Sequence, residues 1–223
     1  MTGTTASTVA RGQLYRFLAA VYLRPPAATL VAPFLDAEIL AELADRFGTD
    51  AVADLVEFRT GFDGDYTALD QQYQELFVVP LGRYVTPYEA VYRDERLVGD
   101  EVVRGLLMGR STLAVTELYR AAGIEVTPEI RELPDHIGLE LAGMAALCDQ
   151  ETEALERGDA GALARARDLE RRLLGEHLLG WAPALCARVR RNAAGPFYGG
   201  VAALTEAVLR HEGADVIATD SSP

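Results

Sequence analysis

The sequence predicts an all-α protein, a single helical bundle of about nine helices. Apolar residues recur at the spacing of one helical face along most of the 223 residues. The alternating apolar–polar pattern of a half-buried strand is nearly absent. Hydrophobic residues make up 49% of the chain, which is sufficient for a substantial core. The connections between helices are short, so sequential helices are expected to pack side by side and mostly antiparallel.

Proline, glycine and aspartate residues mark the ends of the predicted helices in the first half of the chain. Pro25-Pro26 ends the first helix, Gly48 ends the second, and Asp65 is the expected N-cap of the fourth. The predicted helices of this half run over Ser7–Tyr22, Asp36–Phe47, Asp50–Thr60 and Tyr66–Phe77.

A long irregular segment, Val78–Asp100, follows these helices. It contains Pro80, Gly82, Pro87 and Gly99, which interrupt regular structure. A connection of this length inside a compact domain is usually functional or disordered. Because the segment also carries several tyrosines, we predict that it is ordered and functional.

Residues of the same types mark the ends of the predicted helices in the second half of the chain. Gly123 and Gly158 each end a helix, Pro134 suits the first turn of one, and Asp159 can cap another. The predicted helices run over Glu101–Ala122, from Pro134 to near Gly158, from Asp159 onwards, and over Trp181–Asn192 and Pro196–His211. We therefore expect one all-helical domain over residues 1–212 and a flexible acidic tail over residues 213–223.

The chain is strongly acidic, which excludes some classes of partner. It carries 34 Asp and Glu against 21 basic residues, all of them arginine, for a formal net charge of −13. Nucleic-acid binding depends on clustered basic side chains, so no nucleic-acid partner is expected. The same charge opposes adsorption to anionic membranes and attracts basic partners.

No segment of the sequence is typical of export or of membrane insertion. There is no run of 18 apolar residues, and the first residues lack the apolar region of a secretory signal. Cys148 and Cys186 lie on apolar helical faces, where free buried thiols are expected. These features predict a cytoplasmic, soluble protein with no direct membrane insertion.

The most informative polar cluster lies in the stretch Glu132–Glu140. Asp135, His136 and Glu140 fall within about two helical turns at the start of a helix whose later positions are apolar. Such a cluster indicates a recognition site or a reactive site. Asp135 alone, however, is equally explained by the favourable interaction of a carboxylate with a helix N-terminus.

Motifs for catalysis and for metal binding are sparse. The sequence lacks the Glu-x-x-His pairs of di-iron bundles, the Gly-x-Ser-x-Gly nucleophile motif and phosphate-binding glycine loops. His136 and Glu140, with help from Glu75, could supply part of a metal site, so a helical metal-dependent enzyme stays open as an alternative. The main interpretation has no catalytic residue, no metal and no cofactor.

Five aromatic residues are concentrated around the long irregular segment. Core packing is the default explanation for such residues, and a groove for an apolar peptide is the alternative. They are Tyr73, Phe77, Tyr84, Tyr88 and Tyr92.

Four stretches of the chain, taken in order, carry a family pattern. They are Tyr73-Gln-Glu-Leu-Phe77, Thr86-Pro-Tyr-Glu-Ala-Val-Tyr92 with Leu97-Val-Gly-Asp100, Leu118-Tyr-Arg-Ala-Ala-Gly123 with Glu132-Leu-Pro-Asp-His-Ile-Gly-Leu-Glu140, and His177-Leu-Leu-Gly-Trp181 with Pro196-Phe-Tyr198. In order and spacing, from about Ala10 to His211, the chain resembles the TorD/DmsD/NarJ family of redox-enzyme maturation chaperones.

The resemblance implies a TorD-like all-helical fold and a role that is not enzymatic. Members bind the catalytic subunit of a molybdenum oxidoreductase, often through its twin-arginine signal peptide, and hold it until the molybdopterin cofactor is inserted before export. The implied partners of this chain are the signal peptide and the apo catalytic subunit of a molybdopterin oxidoreductase of the DMSO reductase family. The implied oligomeric state is a monomer or a domain-swapped dimer.

Matched by position, the resemblance also implies a peptide-binding surface. Its residues are Tyr73, Phe77, Pro87, Tyr88, Gly99, Asp135 and His136, with Glu89 and Glu140 as additions. Asp135 and Glu140 would pair with the arginines of the signal, while Tyr88 and Phe77 would line an apolar groove. His136 further predicts pH-tuned release near neutral pH.

A second interpretation within the family is a NarJ-type assembly chaperone. Such a chaperone serves a membrane-bound reductase that is not exported, and the resemblance implies the same fold and much of the same surface for it.

Overall fold

The computed structural model describes residues 2–98, 101–127 and 130–220. In this part of the chain the α-helices are α1 (Thr2–Leu23), α2 (Ala28–Leu35), α3 (Ala37–Phe47), α4 (Thr49–Gly61), α5 (Tyr66–Tyr73), α6 (Glu89–Arg93), α7 (Arg110–Ala122), α8 (Ile137–Arg157), α9 (Ala160–Arg172), α10 (Leu179–Asn192) and α11 (Pro196–Asp220). Two π-helical turns, Gln74–Val78 and Leu173–Leu178, follow α5 and α9. The all-α prediction is confirmed.

A short antiparallel ribbon is the β-structure of the described residues. It pairs β1 (Glu95–Val98) with β2 (Glu101–Arg104), so that Glu95 lies opposite Arg104. Two adjacent strands joined by a short connection need no helix to link them.

The described residues form two compact units. One comprises the described residues of Met1–Leu23 and Tyr88–Trp181, and the other those of Arg24–Pro87 and Ala182–Pro223. None of the helices in the part of the chain described above is both long enough and apolar enough to cross a membrane.

In the first unit, α8 is the central helix and α1 packs along it. A Cβ atom at Gly138 would lie 2.5 Å from Leu23 Cγ and 3.1 Å from the carbonyl oxygen of Ala19. Glycine is therefore required where the end of α1 approaches the start of α8. Further along the same pair of helices, Arg11 of α1 pairs with Glu151 of α8 at 3.2 Å. Helix α1 thus fixes the position of α8.

In the second unit, α4 packs against α11. A Cβ atom at Gly200 would lie 3.0 Å from the backbone nitrogen of Leu55, so the two helices approach closely at this glycine. The Phe197 ring centroid lies 5.4 Å from that of Phe34 and 4.8 Å from that of Phe58. These three rings are buried and join α2, α4 and α11 in one aromatic core.

The helix boundaries that depend on local capping are confirmed. Asp65 Oδ1 accepts a hydrogen bond from the backbone nitrogen of Thr67 at 2.9 Å, and Asp159 Oδ1 accepts one from that of Ala162 at 2.9 Å. Gly123 and Gly158 end α7 and α8 in the left-handed conformation, as their positions predicted.

The predicted helix over Glu101–Ala122 is wrong in its first part. Residues 101–104 form β2, and α7 begins only at Arg110. Asp94 determines this start, because its carboxylate accepts hydrogen bonds from the backbone nitrogen and the hydroxyl of Ser111 at 2.9 and 2.7 Å. A helix that began at residue 101 would lose both this cap and the ribbon.

Other elements and boundaries also differ from the predictions. The irregular segment Val78–Asp100 contains α6 and β1, and the helix α2 was not predicted. Helix α8 begins at Ile137 rather than at Pro134, because His136 is its N-cap. Helix α11 continues to Asp220, beyond the predicted end at His211, while the mobility of the tail stays a prediction.

Candidate functional site

Asp135 joins two separate segments of the first unit. Its carbonyl oxygen accepts a hydrogen bond from the backbone nitrogen of Glu89 at 2.9 Å, and its Oδ2 accepts one from that of Ala90 at 3.0 Å. These are nitrogens of the first turn of α6, whose helical partners are missing. Asp135 therefore caps α6 from the start of α8, and its side chain is fully buried.

Burial also governs the protonation of Asp135. Loss of hydration raises the pKa of its carboxyl group above the ordinary value, and the charge of Glu89 raises the pKa further. The hydrogen bond from the backbone nitrogen of Ala90 acts in the opposite direction. The residue lies in a site where negative charge is unfavourable, which suits a structural cap better than an exposed ligand for arginine.

His136 is the N-cap of α8. Its Nδ1 accepts a hydrogen bond from the backbone nitrogen of Gly138 at 3.0 Å, so the neutral ring carries its proton on Nε2. The ring packs edge-on against Tyr88, with centroids 5.3 Å apart, and the same two residues form an isolated β-bridge. Burial lowers the pKa of His136 to about 3. The prediction of pH-tuned release near neutral pH is therefore wrong, because the imidazole does not titrate there.

Glu89 and Glu140 lie next to each other in a buried polar network. Glu89 Oε2 lies 2.7 Å from His177 Nδ1, and its other oxygen accepts from Arg93, one turn further along α6. Glu140 Oε2 accepts a hydrogen bond from Trp181 Nε1 at 3.1 Å. Both carboxyl groups have no exposed surface. We call these residues, Glu89, Arg93, Glu140, His177 and Trp181, the buried network.

Glu140 is the protonated acid of this network. Burial and the nearby charge of Glu89 raise the pKa of Glu140 well above its ordinary value, while the Trp181 hydrogen bond lowers it only in part. Two adjacent buried carboxyl groups cannot both ionise at low cost. We infer that Glu89, which is paired with Arg93, keeps the negative charge.

Glu89, Glu140 and His177 have ligand atoms within 4.8 Å of one another, close enough to hold a metal ion. Protein donors already occupy both oxygens of Glu89 and one oxygen of Glu140. This group differs from the set considered for a metal-dependent enzyme, since His136 Nδ1 caps α8 and Glu75 bonds to Gln71 at 2.8 Å. These contacts fit a hydrogen-bonded network in which one carboxyl group keeps its proton better than they fit a metal site.

Tyr88 provides the accessible part of this site. It is half-buried, and its hydroxyl donates a hydrogen bond to the carboxylate of Glu132, which is exposed. Asp135 and His136 hold the backbone of Tyr88 from below through the α6 cap and the β-bridge. Tyr88 and Glu132 are therefore the accessible residues of this site, and Asp135 and His136 are its buried residues.

The aromatic residues Tyr73 and Phe77 lie in the second unit. Their centroids are 5.6 Å apart, and Tyr198 contacts both rings at 6.3 and 5.7 Å. Both are mostly buried, whereas the next residues, Val78 and Val79, expose 50% and 42% of their surface. This end of the π-helical turn therefore presents exposed apolar side chains directly after two buried aromatic residues.

The structure thus places the predicted site residues in three groups. The first unit brings together Tyr88, Glu89, Asp135, His136 and Glu140. The second unit brings together Tyr73 and Phe77, and also contains Pro87, which is buried. Gly99 lies outside the described residues.

Three members of the buried network were not among the predicted site residues, although His177 and Trp181 lie in a stretch that carries the family pattern. Arg93 was detectable, because its spacing of four residues from Glu89 is the spacing of an ion pair on one helix. His177 and Trp181 follow each other at the same helical spacing, but no local signal connects them to Glu89 or Glu140.

Comparison with known proteins places this geometry in a family. Residues 38–187 match the family described as nitrate reductase delta subunit. A protein named Chaperone protein TorD from Vibrio cholerae serotype O1 is 25% identical over 209 residues, which cover 91% of this chain and 90% of the relative. A Chaperone protein TorD from Shewanella pealeana is 28% identical over 156 residues, 69% of this chain and 62% of the relative.

A third relative carries a different name. The protein named Tat proofreading chaperone DmsD from Salmonella typhi is 28% identical over 183 residues, which cover 82% of this chain and 72% of the relative. The family match spans more than half of the chain, and the similarity to the Vibrio protein spans nearly all of it. The chain therefore belongs to the nitrate reductase delta subunit family, which confirms its resemblance to the TorD/DmsD/NarJ proteins.

Proposed function

We propose that this protein is a cytoplasmic maturation chaperone for a molybdenum oxidoreductase of the DMSO reductase family. It binds the signal peptide and the apo catalytic subunit of that enzyme and keeps the subunit competent for molybdopterin insertion before export. It transforms no substrate, and the buried network serves the fold of the binding site.

The observation that carries this proposal is similarity along nearly the whole chain to proteins named as chaperones. The alignment with the Vibrio chaperone TorD covers 91% of this chain and 90% of the relative. Since both chains are covered, the likeness extends beyond a shared segment. The name of the Salmonella relative adds proofreading of the Tat pathway, which supports an exported client.

The accessible residues of the first unit suit a basic peptide. Glu132 is exposed and its carboxylate is already oriented by the Tyr88 hydroxyl. An arginine of the client would pair with Glu132 and stack on the half-buried ring of Tyr88. Asp135 and His136 act through this pair as positioning residues, because both are buried beneath it.

The second unit offers an apolar surface for the same class of ligand. Val78 ends the π-helical turn, Val79 and Leu81 follow it, and Leu81 exposes 74% of its surface. Tyr73 and Phe77, a buried pair of rings, precede these residues along the chain. An apolar signal segment would gain most of its affinity from burial of such side chains.

Calorimetric titration of the signal peptide of the client into purified variants tests this proposal. Tyr88→Ala should weaken binding at least about tenfold, the loss typical of a central aromatic contact. Glu132→Gln should weaken it about threefold, since an exposed pair contributes at most about 1 kcal/mol. Glu117→Gln is the matched control, because Glu117 is an exposed glutamate of the same unit. Wild-type affinity in Tyr88→Ala, or equal losses in Glu132→Gln and Glu117→Gln, would contradict this surface.

The description of the matched family supports a second candidate within the same class. A nitrate reductase delta subunit suggests a NarJ-type role on a reductase that is not exported. Mass spectrometry of the subunit that co-purifies with the protein separates the two. A twin-arginine signal on that subunit supports the first candidate, and its absence supports the second.

A further inference from the structure

The second unit contains a cavity of about 330 Å³ that the proposed peptide surface does not include. It lies between the end of α4, the start of α5 and the start of α11. Its floor is apolar and buried, formed by Phe58, Leu69 and Phe197. Phe62 and Pro196 line it and are half-buried. Ligand pockets typically combine such an apolar floor with a few polar groups.

The polar groups of this cavity are acidic. Three exposed carboxylates line it, those of Glu57, Asp63 and Asp65, and none of its lining residues is basic. Asp65 Oδ1 caps α5, and Asp63 Oδ1 accepts a hydrogen bond from the backbone nitrogen of Asp65 at 2.9 Å. Local hydrogen bonds therefore fix two of the three carboxylates. The negative charge of Asp65 lies at the positive end of the α5 dipole, where it is favourable. The cavity is complementary to a cation.

The aromatic rings favour a cation that is planar and has an apolar stem. The Phe62 centroid lies 4.9 Å from that of Phe58 and 5.3 Å from that of Tyr66, and Phe197 continues the surface at 4.8 Å from Phe58. Aromatic faces attract cations, and a guanidinium also stacks on them. A guanidinium can bind carboxylates through two parallel hydrogen bonds and is less strongly hydrated than an ammonium group.

We propose that this cavity binds an arginine side chain of a partner polypeptide. The guanidinium lies among the carboxylates of Glu57, Asp63 and Asp65, and the methylene stem covers Phe62. The inference rests on the proposed function in one respect, that the partner is the client polypeptide.

A defined peptide tests the cavity directly. The probe is a fluorescein-labelled peptide with a single arginine followed by alanine and leucine residues, and binding to the full chain is measured by fluorescence anisotropy. Its counterpart carries citrulline, which keeps the shape of arginine and removes the charge. We expect binding of the arginine peptide and at least about tenfold weaker binding of the citrulline peptide. Equal affinities would overturn the proposal.

Two variants locate the binding. Glu57→Gln/Asp63→Asn should weaken binding of the arginine peptide about fivefold, as expected for two partly exposed ion pairs. The matched control is Glu42→Gln/Asp45→Asn, which makes the same change of charge at exposed positions of α3 in the same unit. Equal weakening in both doubles would show only general attraction to an acidic protein and would overturn the site.

Ala68→Trp examines the shape of the cavity. Ala68 is an exposed lining residue on α5, so the larger side chain fills the cavity from the surface. The arginine peptide should lose binding while the helical content of the protein is kept. Retained affinity in a folded Ala68→Trp protein would overturn the proposal. If Ala68→Trp does not fold, Glu57→Gln/Asp63→Asn provides the test.

Capture of the intact client separates this proposal from the proposed function. If the wild-type chain does not hold the client catalytic subunit, the proposed function fails and this inference fails with it. If the wild type, Glu57→Gln/Asp63→Asn and Ala68→Trp all hold the client with equal affinity, only the cavity assignment is overturned. Weaker capture by both variants supports it.

Discussion

Glu89→Gln and Glu140→Gln are expected to have different consequences, although both replace a fully buried carboxyl group with an amide. Glu89 is the charged member of the buried network, bonded to Arg93 and His177. Glu140 is the neutral member, because burial and the Glu89 charge raise its pKa well above the ordinary value. An amide resembles a protonated carboxyl group far more closely than it resembles a carboxylate.

The contacts set the magnitudes. Removing one partner of a buried ion pair costs about 3–5 kcal/mol. Arg93 is 37% exposed and can regain water, so we expect Glu89→Gln to destabilise the protein by about 2 kcal/mol. The amide oxygen in Glu140→Gln can still accept the Trp181 hydrogen bond, so the expected loss is under about 1 kcal/mol at neutral pH.

Trp181 provides a local assay, since it is the only tryptophan of the chain and lies in the network. Urea denaturation followed by tryptophan fluorescence measures the free energy of unfolding around this site. The pH dependence has a definite sign. A carboxyl group with a raised folded pKa contributes stability below its unfolded pKa, and this contribution is lost as pH rises through the folded pKa. The wild type should therefore lose stability relative to Glu140→Gln as the pH rises above the ordinary glutamate pKa of 4.5.

Two results would refute the assignment of charge in the network. The first is a loss in Glu140→Gln at neutral pH as large as the loss in Glu89→Gln. The second is a constant difference in stability between the wild type and Glu140→Gln as the pH rises from the ordinary glutamate pKa of 4.5 towards neutral pH.

The remaining predictions concern backbone fit and capping. Gly138→Ala should destabilise the first unit by about 1–3 kcal/mol in urea denaturation, because its Cβ meets α1, whereas Gly175→Ala, which meets nothing within 4 Å, should have little effect. His136 has a folded pKa lowered to about 3 from 6.5, so the wild type should lose up to about 1.4 kcal/mol per pH unit as pH falls between these values. His136→Asn should remove this acid sensitivity in denaturation at several pH values, because asparagine keeps the cap. Gly109→Ala should lower the melting temperature by displacing Asp94, which would lie 2.0 Å from the new Cβ atom.

The sequence allowed prediction of features that depend on neighbouring residues. The caps at Asp65 and Asp159 and the glycine ends of α7 and α8 follow from local backbone chemistry. The polarity of the Asp135–Glu140 stretch also indicated that this helix start differs from the others, and the caps of α6 and α8 lie there.

The burial of that stretch could not be predicted, because it depends on contacts between distant segments. Asp135 bonds to backbone atoms 45 residues away, and Glu140 bonds to Trp181, 41 residues away. The start of α7 was misplaced because the β-ribbon pairs Glu95 with Arg104 and the cap by Asp94 reaches Ser111, 17 residues away. The residues of the proposed peptide-binding surface in the first unit therefore separate into buried residues and an accessible pair, Tyr88 and Glu132.

Affinity purification of the tagged protein from its own host, followed by mass spectrometry and molybdopterin analysis of the captured partner, tests the central claim most directly. We predict the catalytic subunit of a molybdenum oxidoreductase, with its signal peptide intact and without cofactor, and reduced capture by Tyr88→Ala. Recovery of the same subunit only in its cofactor-loaded form, or equal capture of unrelated proteins by the wild type and Tyr88→Ala, would contradict the account.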